Sequence, residues 1–439
     1  MSVPLDVEVA VIGGGPAGIA AALSAARADA AVALIEPGRV GGPKAMLGWR
    51  VLERTVDRHV ARGAATRAAV WDEARAERER LASAREQRLR LRLADAGVDV
   101  LAGRARFTGP RALALDPGPE VRFDAAVIAA GAGPARLPGA APDAARLVTP
   151  EALFDVAALP AEILVVGGGA AGAELVDSLS RLDDVTVTWL MDEVGILPRF
   201  ERELADALGD VLLGRGVKLV HGKSVASVEQ TELDARATLD GGRTYAAPLV
   251  VMCTGQRRDP APLDLAAAGL DGLTVDDALR TPIAHLFGAG ACTGRCPSAA
   301  HAEAMGRIAG RAAAGLDAPA YDPRATPLVV RAHPQLAQVG QTPERVAGQP
   351  VVLHTARGEE SLAGLLDGTG ESASDKGWVR LICDSESGRL LGLTAVGPGA
   401  ATRASAGAMA LRLGATDEVL AEVFADLPGP LDALLLATR

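Results

Sequence analysis

Two clusters of glycine have the spacing of a turn that binds the pyrophosphate of a dinucleotide. Both follow the pattern G-x-G-x-x-G between an apolar run and an Ala-rich run, and they comprise Gly13, Gly15 and Gly18, and Gly167, Gly169 and Gly172. The first glycine makes the tight bend, the second admits the pyrophosphate to the backbone, and the third lets a helix pack on a strand. The N–H groups at the helix start then face the phosphates. The pattern predicts two dinucleotide sites in one chain.

An acidic residue follows each cluster where a ribose would lie. Glu36 comes 18 residues after Gly18, and its carboxylate can accept hydrogen bonds from both ribose hydroxyls. In the second module Asp192 has this position, and no Arg or Lys lies between residues 181 and 199. This favours NAD over NADP, whose 2′-phosphate would be repelled. Two alternatives stay open: Met191 faces the ribose instead, or the second site is vestigial and empty.

These motifs need a strand before each turn, and a helix and a strand after it. Residues 7–35 fit that order, and Pro16 suits the first turn of a helix. The same order returns over residues 163–192, as an internal duplication. A long charged helix is predicted over residues 64–96, where a solvated surface helix is favoured over a partner-binding one. Short strands and Ala-rich helices are predicted over residues 328–439.

Composition and charge exclude several classes of function. Of the 439 residues 49% are apolar, 23% charged and 3% aromatic, and the net charge is −10. The length predicts several domains, and the charge disfavours nucleic acids and anionic membranes as partners. Asp6 and Glu8 stand where a signal peptide would be basic, and Gly13 to Pro16 interrupt the apolar residues 9–26. We expect a cytoplasmic protein without a membrane span or disulfide framework.

Four further stretches, taken with the two modules, resemble one family over essentially the whole chain. They are AVIAAG at 126–131, CTGQRR at 253–258, LFGAG at 286–290 and HPQLAQVG at 333–340. In this order they are similar to the re-entry into the FAD domain, the exit from the NAD domain, the second FAD strand and the start of the dimerisation domain of the pyridine nucleotide-disulfide oxidoreductases. That family includes dihydrolipoamide dehydrogenase, glutathione reductase and mercuric reductase.

The resemblance implies an α/β fold with two Rossmann-like nucleotide-binding domains and a C-terminal α+β dimerisation domain, assembled as a homodimer. The implied bounds are 1–148 and 281–325 for the FAD domain, 149–280 for the NAD domain and 326–439 for dimerisation. The implied cofactors are FAD and NAD(H). For FAD the implied residues are Gly13, Gly15, Pro16, Ala17, Gly18, Glu36, Gly41, Gly42, Ala105, Ala130, Gly131, Gly290, Ala291 and Ala300. For NAD they are Gly167, Gly169, Gly172, Asp192 and Gly255.

The sequence departs from the family at the residues that carry its disulfide chemistry. Lys44 and Trp49 occupy the positions of the two redox cysteines, and Leu427 that of the proton-shuttling histidine. Neither Lys nor Trp exchanges with a disulfide, which requires a thiolate, and leucine has no proton to give. Ala291 replaces the Asp that binds the ribityl chain of FAD, which removes a hydrogen bond. The aromatic gate over the nicotinamide face of the flavin falls at Ala170.

The family's Lys–Glu pair near the flavin is also changed. Its lysine falls at Glu53, while the partner acid remains as Glu174. Two facing acids would repel each other or share a proton. A cation from Lys44, Arg50 or Arg54 would compensate, and the sequence leaves open which one does.

Two cysteines and a histidine follow the second FAD strand. Cys292 and Cys296 would form either a relocated redox pair or, as we favour, two small semi-buried residues. His301 would either tune the flavin or cap its helix. No Cys/His spacing indicates a metal site.

These observations lead to three hypotheses. The leading one is an FAD-dependent oxidoreductase that takes hydride from NAD(P)H and passes electrons to a non-disulfide acceptor, such as a small molecule, a quinone or oxygen. The catalytic candidates are Lys44, Trp49, Glu174, Cys292 and His301, and Lys44 is the best candidate to contact substrate or flavin. The alternative is a catalytically degenerate nucleotide-binding protein with a regulatory or interaction role. The third keeps thiol chemistry through Cys292 and Cys296.

Overall fold

This α/β chain contains both helices and strands. Its computed structural model describes residues 4–42, 44–142, 145–358 and 377–422, with backbone alone for 44–46. The helices are α1 (Pro16–Ala26), α2 (Lys44–Ala61), α3 (Arg67–Asp95), α4 (Ala170–Ser180), α5 (Arg202–Gly214), α6 (Ala299–Ala313), α7 (Ala400–Leu413) and α8 (Asp417–Ala421). The predicted helices of the two duplicated modules are confirmed as α1 and α4, and the long charged helix as α3.

The strands are mostly short and hydrophobic. In chain order they are β1 (Leu5–Ile12), β2 (Val32–Glu36), β3 (Val98–Ala102), β4 (Arg104–Gly109), β5 (Ala112–Asp116), β6 (Glu120–Ile128), β7 (Gly133–Pro134), β8 (Leu147–Val148), β9 (Glu162–Val166), β10 (Thr186–Leu190), β11 (Lys218–Val220), β12 (Val225–Gln230), β13 (Ala235–Leu239), β14 (Thr244–Ala247), β15 (Leu249–Met252), β16 (Gln256–Arg257), β17 (Leu286–Gly288), β18 (Leu328–Val330), β19 (Leu336–Gly340), β20 (Val351–Arg357), β21 (Trp378–Asp384) and β22 (Leu390–Val396).

The first of two compact units comprises residues up to 47, 77–133 and 256–323. Its seven-stranded sheet has the order β3-β2-β1-β6-β5-β4, with β17 also paired to β6. Because β1 is parallel to β2 and β6, the carboxyl ends of these strands share one edge of the sheet, where nucleotides bind in such folds. Helices α1 and α6 pack closely, since Gly306 has no side chain to collide with the backbone of Ala17.

The second unit comprises residues 48–76, 134–255 and 324–439. It contains a parallel sheet of order β11-β10-β9-β15-β8 and an antiparallel sheet of order β12-β13-β14. Its duplicated module has the same strand, turn, helix and strand as the first. The sequence did not predict the antiparallel sheet.

The C-terminal part of this unit is an antiparallel sheet of order β18-β19-β22-β21-β20. Helix α7 lies against it through small residues such as Ala400 and Ala404, which pack with Leu393 in a buried cluster. The predicted α+β composition of this region is confirmed. The domain bounds drawn from the sequence stay predictions.

Candidate functional site

The first glycine turn has the backbone geometry of a pyrophosphate-binding turn. Gly13 has a φ of +109°, and a Cβ there would collide with the carbonyl of Ala129. A Cβ at Gly18 would collide with the carbonyl of Gly13, so only glycine lets α1 pack this closely on the turn. Around Gly15, no described atom beyond its chain neighbours lies within 4 Å of where a Cβ would be. This space lies at the N-terminus of α1 and fits a phosphate.

Glu36, at the end of β2, ties this turn to the following loop. Its Oε2 accepts the N–H of Gly14 at 2.6 Å, and its Oε1 accepts the N–H of Gly38 at 2.8 Å. The N–H of Gly41 donates to the carbonyl of Gly14 at 2.8 Å. A carboxylate oxygen accepts more than one hydrogen bond, so Glu36 can hold the loop and still receive a ribose hydroxyl. These residues fit the adenosine half of a dinucleotide.

The other positions assigned to FAD lie on several elements of the same unit. Ala17 in α1 is buried, and a Cβ at Gly290 would lie 2.8 Å from its Cβ. The side chain of Ala105 is buried in the core of β4, so this residue can offer a cofactor only its backbone. The rest lie at element ends or in connecting loops and comprise Pro16, Gly42, Ala130, Gly131, Ala291 and Ala300.

The second turn repeats the backbone contacts of the first. Gly167 has a φ of +111°, and a Cβ there would collide with the carbonyl of Cys253. A Cβ at Gly172 would likewise collide with the carbonyl of Gly167. Around Gly169, no described atom beyond its chain neighbours lies within 4 Å of where a Cβ would be. Gly255, with a φ of +93°, follows on the loop after β15. The turn fits a second dinucleotide.

The two modules differ at the residue that would face the ribose. A Cβ at Gly14 would contact the side chain of Glu36 at 3.0 Å, and a Cβ at Gly168 would contact the side chain of Met191 at 3.2 Å. Met191 is therefore the structural equivalent of Glu36. Asp192 is exposed one residue further on, where its Oδ1 accepts backbone N–H groups of residues 194 and 195 at 3.1 and 3.3 Å. The geometry favours the Met191 alternative and offers no carboxylate at the equivalent position.

A single guanidinium joins the two acids of the altered Lys–Glu pair. Arg50 donates from Nη1 to Glu53 at 2.9 Å and from Nη2 to Glu174 at 2.7 Å. Arg54 is exposed on the same helix, and the side chain of Lys44 lies outside the described residues. Among the three cations considered from the sequence, Arg50 makes the compensating contact.

Glu174 is the most buried member of this group, with a side chain 9% exposed. Burial raises its pKa above the ordinary value, while the charge of Arg50 and the backbone N–H of Arg331 act in the opposite direction. The Arg331 N–H donates to the same carboxylate at 2.9 Å. Glu174 therefore links α2 and the segment after β18 to α4, and the charge of Arg50 partly offsets the effect of burial on its pKa.

One turn further along α4, Asp177 forms a second buried ionic cluster, which no motif of the sequence indicates. Arg215 donates to its Oδ1 at 2.8 Å, as does the N–H of His333 at 2.9 Å. Burial opposes the ionisation of Asp177, but the hydrogen bond of His333 and the charges of Arg181 and Arg215 outweigh it, so the pKa is lowered. The only sequence signal is its spacing of three residues from Glu174, which places both on one helix face.

Trp49 lies in a buried aromatic cluster. Its ring centroid is 6.0 Å from that of Phe154, which in turn stacks on Trp71 of α3 at 5.0 Å. The indole N–H of Trp71 donates to the carbonyl of Val156 at 3.1 Å. The start of α3 is therefore packed into the unit, because its one tryptophan supplies a large apolar surface.

Cys292 and Cys296 are free thiols in protected positions. The Sγ of Cys292 donates to the carbonyls of Ile128 and Ala289 at 3.4 and 3.3 Å. The Sγ of Cys296 donates to the backbone carbonyl of Ser298 at 3.1 Å. Burial raises the pKa of both thiols, and that of Cys296 to about 11. Because the thiolate is the reactive form, the geometry favours a structural role for both.

His301 is buried in the first turn of α6. Its Nδ1 lies 2.8 Å from the hydroxyl of Ser298, the residue that caps this helix, and its Nε2 lies 3.3 Å from the carbonyl of Pro323. The cap of this helix is thus Ser298 rather than His301, and both ring nitrogens of His301 lie near protein atoms. Leu427 and the C-terminal segment around it lie outside the described residues.

The fold defines a class: a flavoprotein with two dinucleotide-binding modules and a C-terminal dimerisation domain. Residues 7–306 match the family described as pyridine nucleotide-disulphide oxidoreductase, and residues 326–430 match its dimerisation domain. The chain belongs to this family, whose members are FAD-binding, NAD(P)-dependent oxidoreductases. In the part of the chain that is described, no helix is both long and apolar enough to cross a membrane.

Similar proteins match over nearly the full length. An NAD(P)H dehydrogenase (quinone) from Mycobacterium tuberculosis is 29% identical, covering 98% of this chain and 93% of that protein. Dihydrolipoyl dehydrogenase 2 from Haloarcula marismortui is 27% identical, covering 95% and 93%. The crystal structure of LpdA from Mycobacterium tuberculosis has a TM-score of 0.90 and 27% identity, covering 99% of each chain.

Proposed function

We propose that this protein is an FAD-dependent oxidoreductase that takes hydride from NAD(P)H and passes electrons to a non-disulfide acceptor. One contrast carries the proposal. Both dinucleotide turns keep their glycines and backbone contacts, whereas Lys44 and Trp49 occupy the positions of the family's redox cysteines. A chain that retains both nucleotide sites without the thiols is suited to transfer electrons from a nicotinamide to a different acceptor.

Bound FAD would supply the redox chemistry, and the chain supplies binding and electrostatics. Glu36 and the turn at Gly13 to Gly18 would bind the adenosine and pyrophosphate, together with the other FAD positions assigned from the sequence. Arg50 takes over the positive charge that the family's lysine carries, and opposes the rise that burial causes in the pKa of Glu174. Lys44 stays our candidate for contact with the acceptor.

A quinone is the acceptor class that we favour. The similarity to a protein named NAD(P)H dehydrogenase (quinone) extends over 98% of this chain. A quinone accepts two electrons and two protons and needs no thiolate to attack it. A quinone acceptor is therefore compatible with Lys44 and Trp49 in place of the redox cysteines and with Leu427 in place of the histidine. We further propose a homodimer formed through residues 326–430 and a cytoplasmic location.

The test is an anaerobic titration of the purified, FAD-loaded protein with NADH and NADPH, followed by addition of menadione. We expect loss of the oxidised flavin absorbance with the nucleotide and its return with menadione. Dihydrolipoamide and oxidised glutathione should not be turned over above the free-flavin background.

The replacement of the ribityl aspartate by Ala291 favours the second candidate, a nucleotide-binding protein without catalysis. Under that alternative the protein would bind nucleotide, but NAD(P)H would leave the flavin absorbance unchanged or no flavin would bind. Either result overturns the proposed oxidoreductase.

A further inference from the structure

Three potential metal ligands meet in the C-terminal sheet, away from both glycine turns in the sequence. They are His354 on β20, Cys383 on β21 and Asp417 in the first turn of α8, and one ligand atom from each lies within 4.8 Å of the others. The cluster brings together a nitrogen, a sulfur and an oxygen. No sequence spacing reveals it, because the three residues come from separate segments.

Strand pairing accounts for two of the positions. His354 lies opposite Leu381 in the β20–β21 ladder, so Cys383, two residues further along, faces the same side of the sheet. The thiol is fully buried. The β21–β22 pairing shifts register between Ile382 and Cys383, and such irregularities re-aim a side chain.

Backbone contacts hold the third ligand in place. The N–H of Asp417 donates to the carbonyl of Gly388 in the β21–β22 turn at 2.9 Å. One carboxylate oxygen, Oδ1, accepts the N–H of Glu418 at 2.8 Å. The other, Oδ2, lies 3.3 Å from Nε2 of His354. This separation matches the edge of about 3.3 Å between nitrogen and oxygen ligands of a tetrahedral zinc ion.

One ring nitrogen of His354 is buried without a hydrogen bond among the described residues. His354 Nε2 is buried and makes no hydrogen bond of acceptable geometry among the described residues, although Asp417 lies nearby. A buried polar atom without a partner costs free energy unless something else binds it. An ion between the three ligand atoms would satisfy it.

We propose that His354, Cys383 and Asp417 form a site for a divalent transition-metal ion of the Zn²⁺ class, with water as a fourth ligand. Mixed nitrogen, thiolate and carboxylate ligands favour Zn²⁺ over Mg²⁺ or Ca²⁺. Binding would release the thiol proton and tie β20 and α8 to β21.

The test uses the full chain without a purification tag, loaded with FAD, stripped with a chelator and dialysed against Zn²⁺. We expect one Zn²⁺ per chain, and binding weakened by more than about tenfold in Cys383→Ser and in His354→Gln. Matched controls are Cys253→Ser, another buried free thiol, and His221→Gln, an exposed histidine, and both should bind as the wild type does.

Co²⁺ provides a second measurement that does not depend on activity. We expect ligand-field bands at wavelengths beyond oxidised flavin absorption in the wild type and in Cys253→Ser, and their loss in Cys383→Ser. If Cys383→Ser does not fold, His354→Gln decides the matter, because that side chain is partly exposed. Absence of stoichiometric Zn²⁺ binding, or unchanged affinity in His354→Gln, would overturn the proposal.

Discussion

Replacement of Arg50 by methionine should destabilise the protein in a pH-dependent way. Arg50 is the cation between Glu53 and Glu174. Removal of one partner of a buried ion pair costs about 3–5 kcal/mol. Arg50 is 31% exposed, so solvent screening brings our expected loss to about 2–3 kcal/mol at pH 8.

The pH dependence follows from the proton affinity of Glu174. Without Arg50, burial raises the pKa of the folded carboxyl further above its unfolded value. The stability that a raised pKa contributes is present at low pH and is lost as pH rises through the folded pKa. Between the unfolded-state and the folded-state pKa of Glu174, each pH unit changes the free energy of unfolding by about 1.4 kcal/mol. The penalty of Arg50→Met should therefore be largest at pH 8 and shrink towards pH 5.

The assay is thermal unfolding of the wild type, Arg50→Met and the control Arg54→Met from pH 5 to 8. Because the unfolding entropy is about 2.1 cal/mol/K per residue, a loss of 1 kcal/mol lowers the Tm of a 439-residue chain by about 1 °C. We therefore expect a drop of about 2–3 °C for Arg50→Met at pH 8 and about 1 °C or less near pH 5. Arg54 is exposed on the same helix, and its replacement should cost less than about 0.5 kcal/mol. Adding Glu174→Gln to Arg50→Met should recover most of the loss. A pH-independent drop, or equal drops in the two single variants, would refute the reasoning.

Three other expectations test the site. Met191→Glu should increase the preference for NADH over NADPH by about tenfold, because a carboxylate would then stand where Glu36 stands in the first module; unchanged ratios of kcat/KM would contradict the equivalence. Glu36→Gln should weaken FAD binding by about tenfold, as measured by the flavin retained after dialysis, and full retention would count against a ribose contact. Because the pKa of Cys296 is raised to about 11, its alkylation by iodoacetamide should be slow at pH 7 and accelerate up to about pH 10; fast modification at pH 7 would restore the relocated-thiol hypothesis.

The structure changes how some sequence patterns are interpreted. Asp192 looked equivalent to Glu36 because both stand at the end of a hydrophobic strand. A Cβ at Gly168, however, would contact the side chain of Met191, which identifies Met191 as the equivalent residue. A shift of one residue along a strand reverses the direction of a side chain, and strand ends cannot be placed to one residue from composition alone.

The sequence by itself determined both glycine turns, the order of the elements around them, and that Lys44 and Trp49, rather than cysteines, follow Gly41 and Gly42. These features depend on local rules: glycine at close backbone approaches, apolar runs of strand length, and residue types required for disulfide exchange. Only the tertiary structure decided that Arg50 bridges Glu53 and Glu174, that Asp177 is buried among cations, and that His354 and Cys383 meet Asp417. Such contacts join residues far apart in the chain, and their partners follow from how helices and strands pack, which no local spacing encodes.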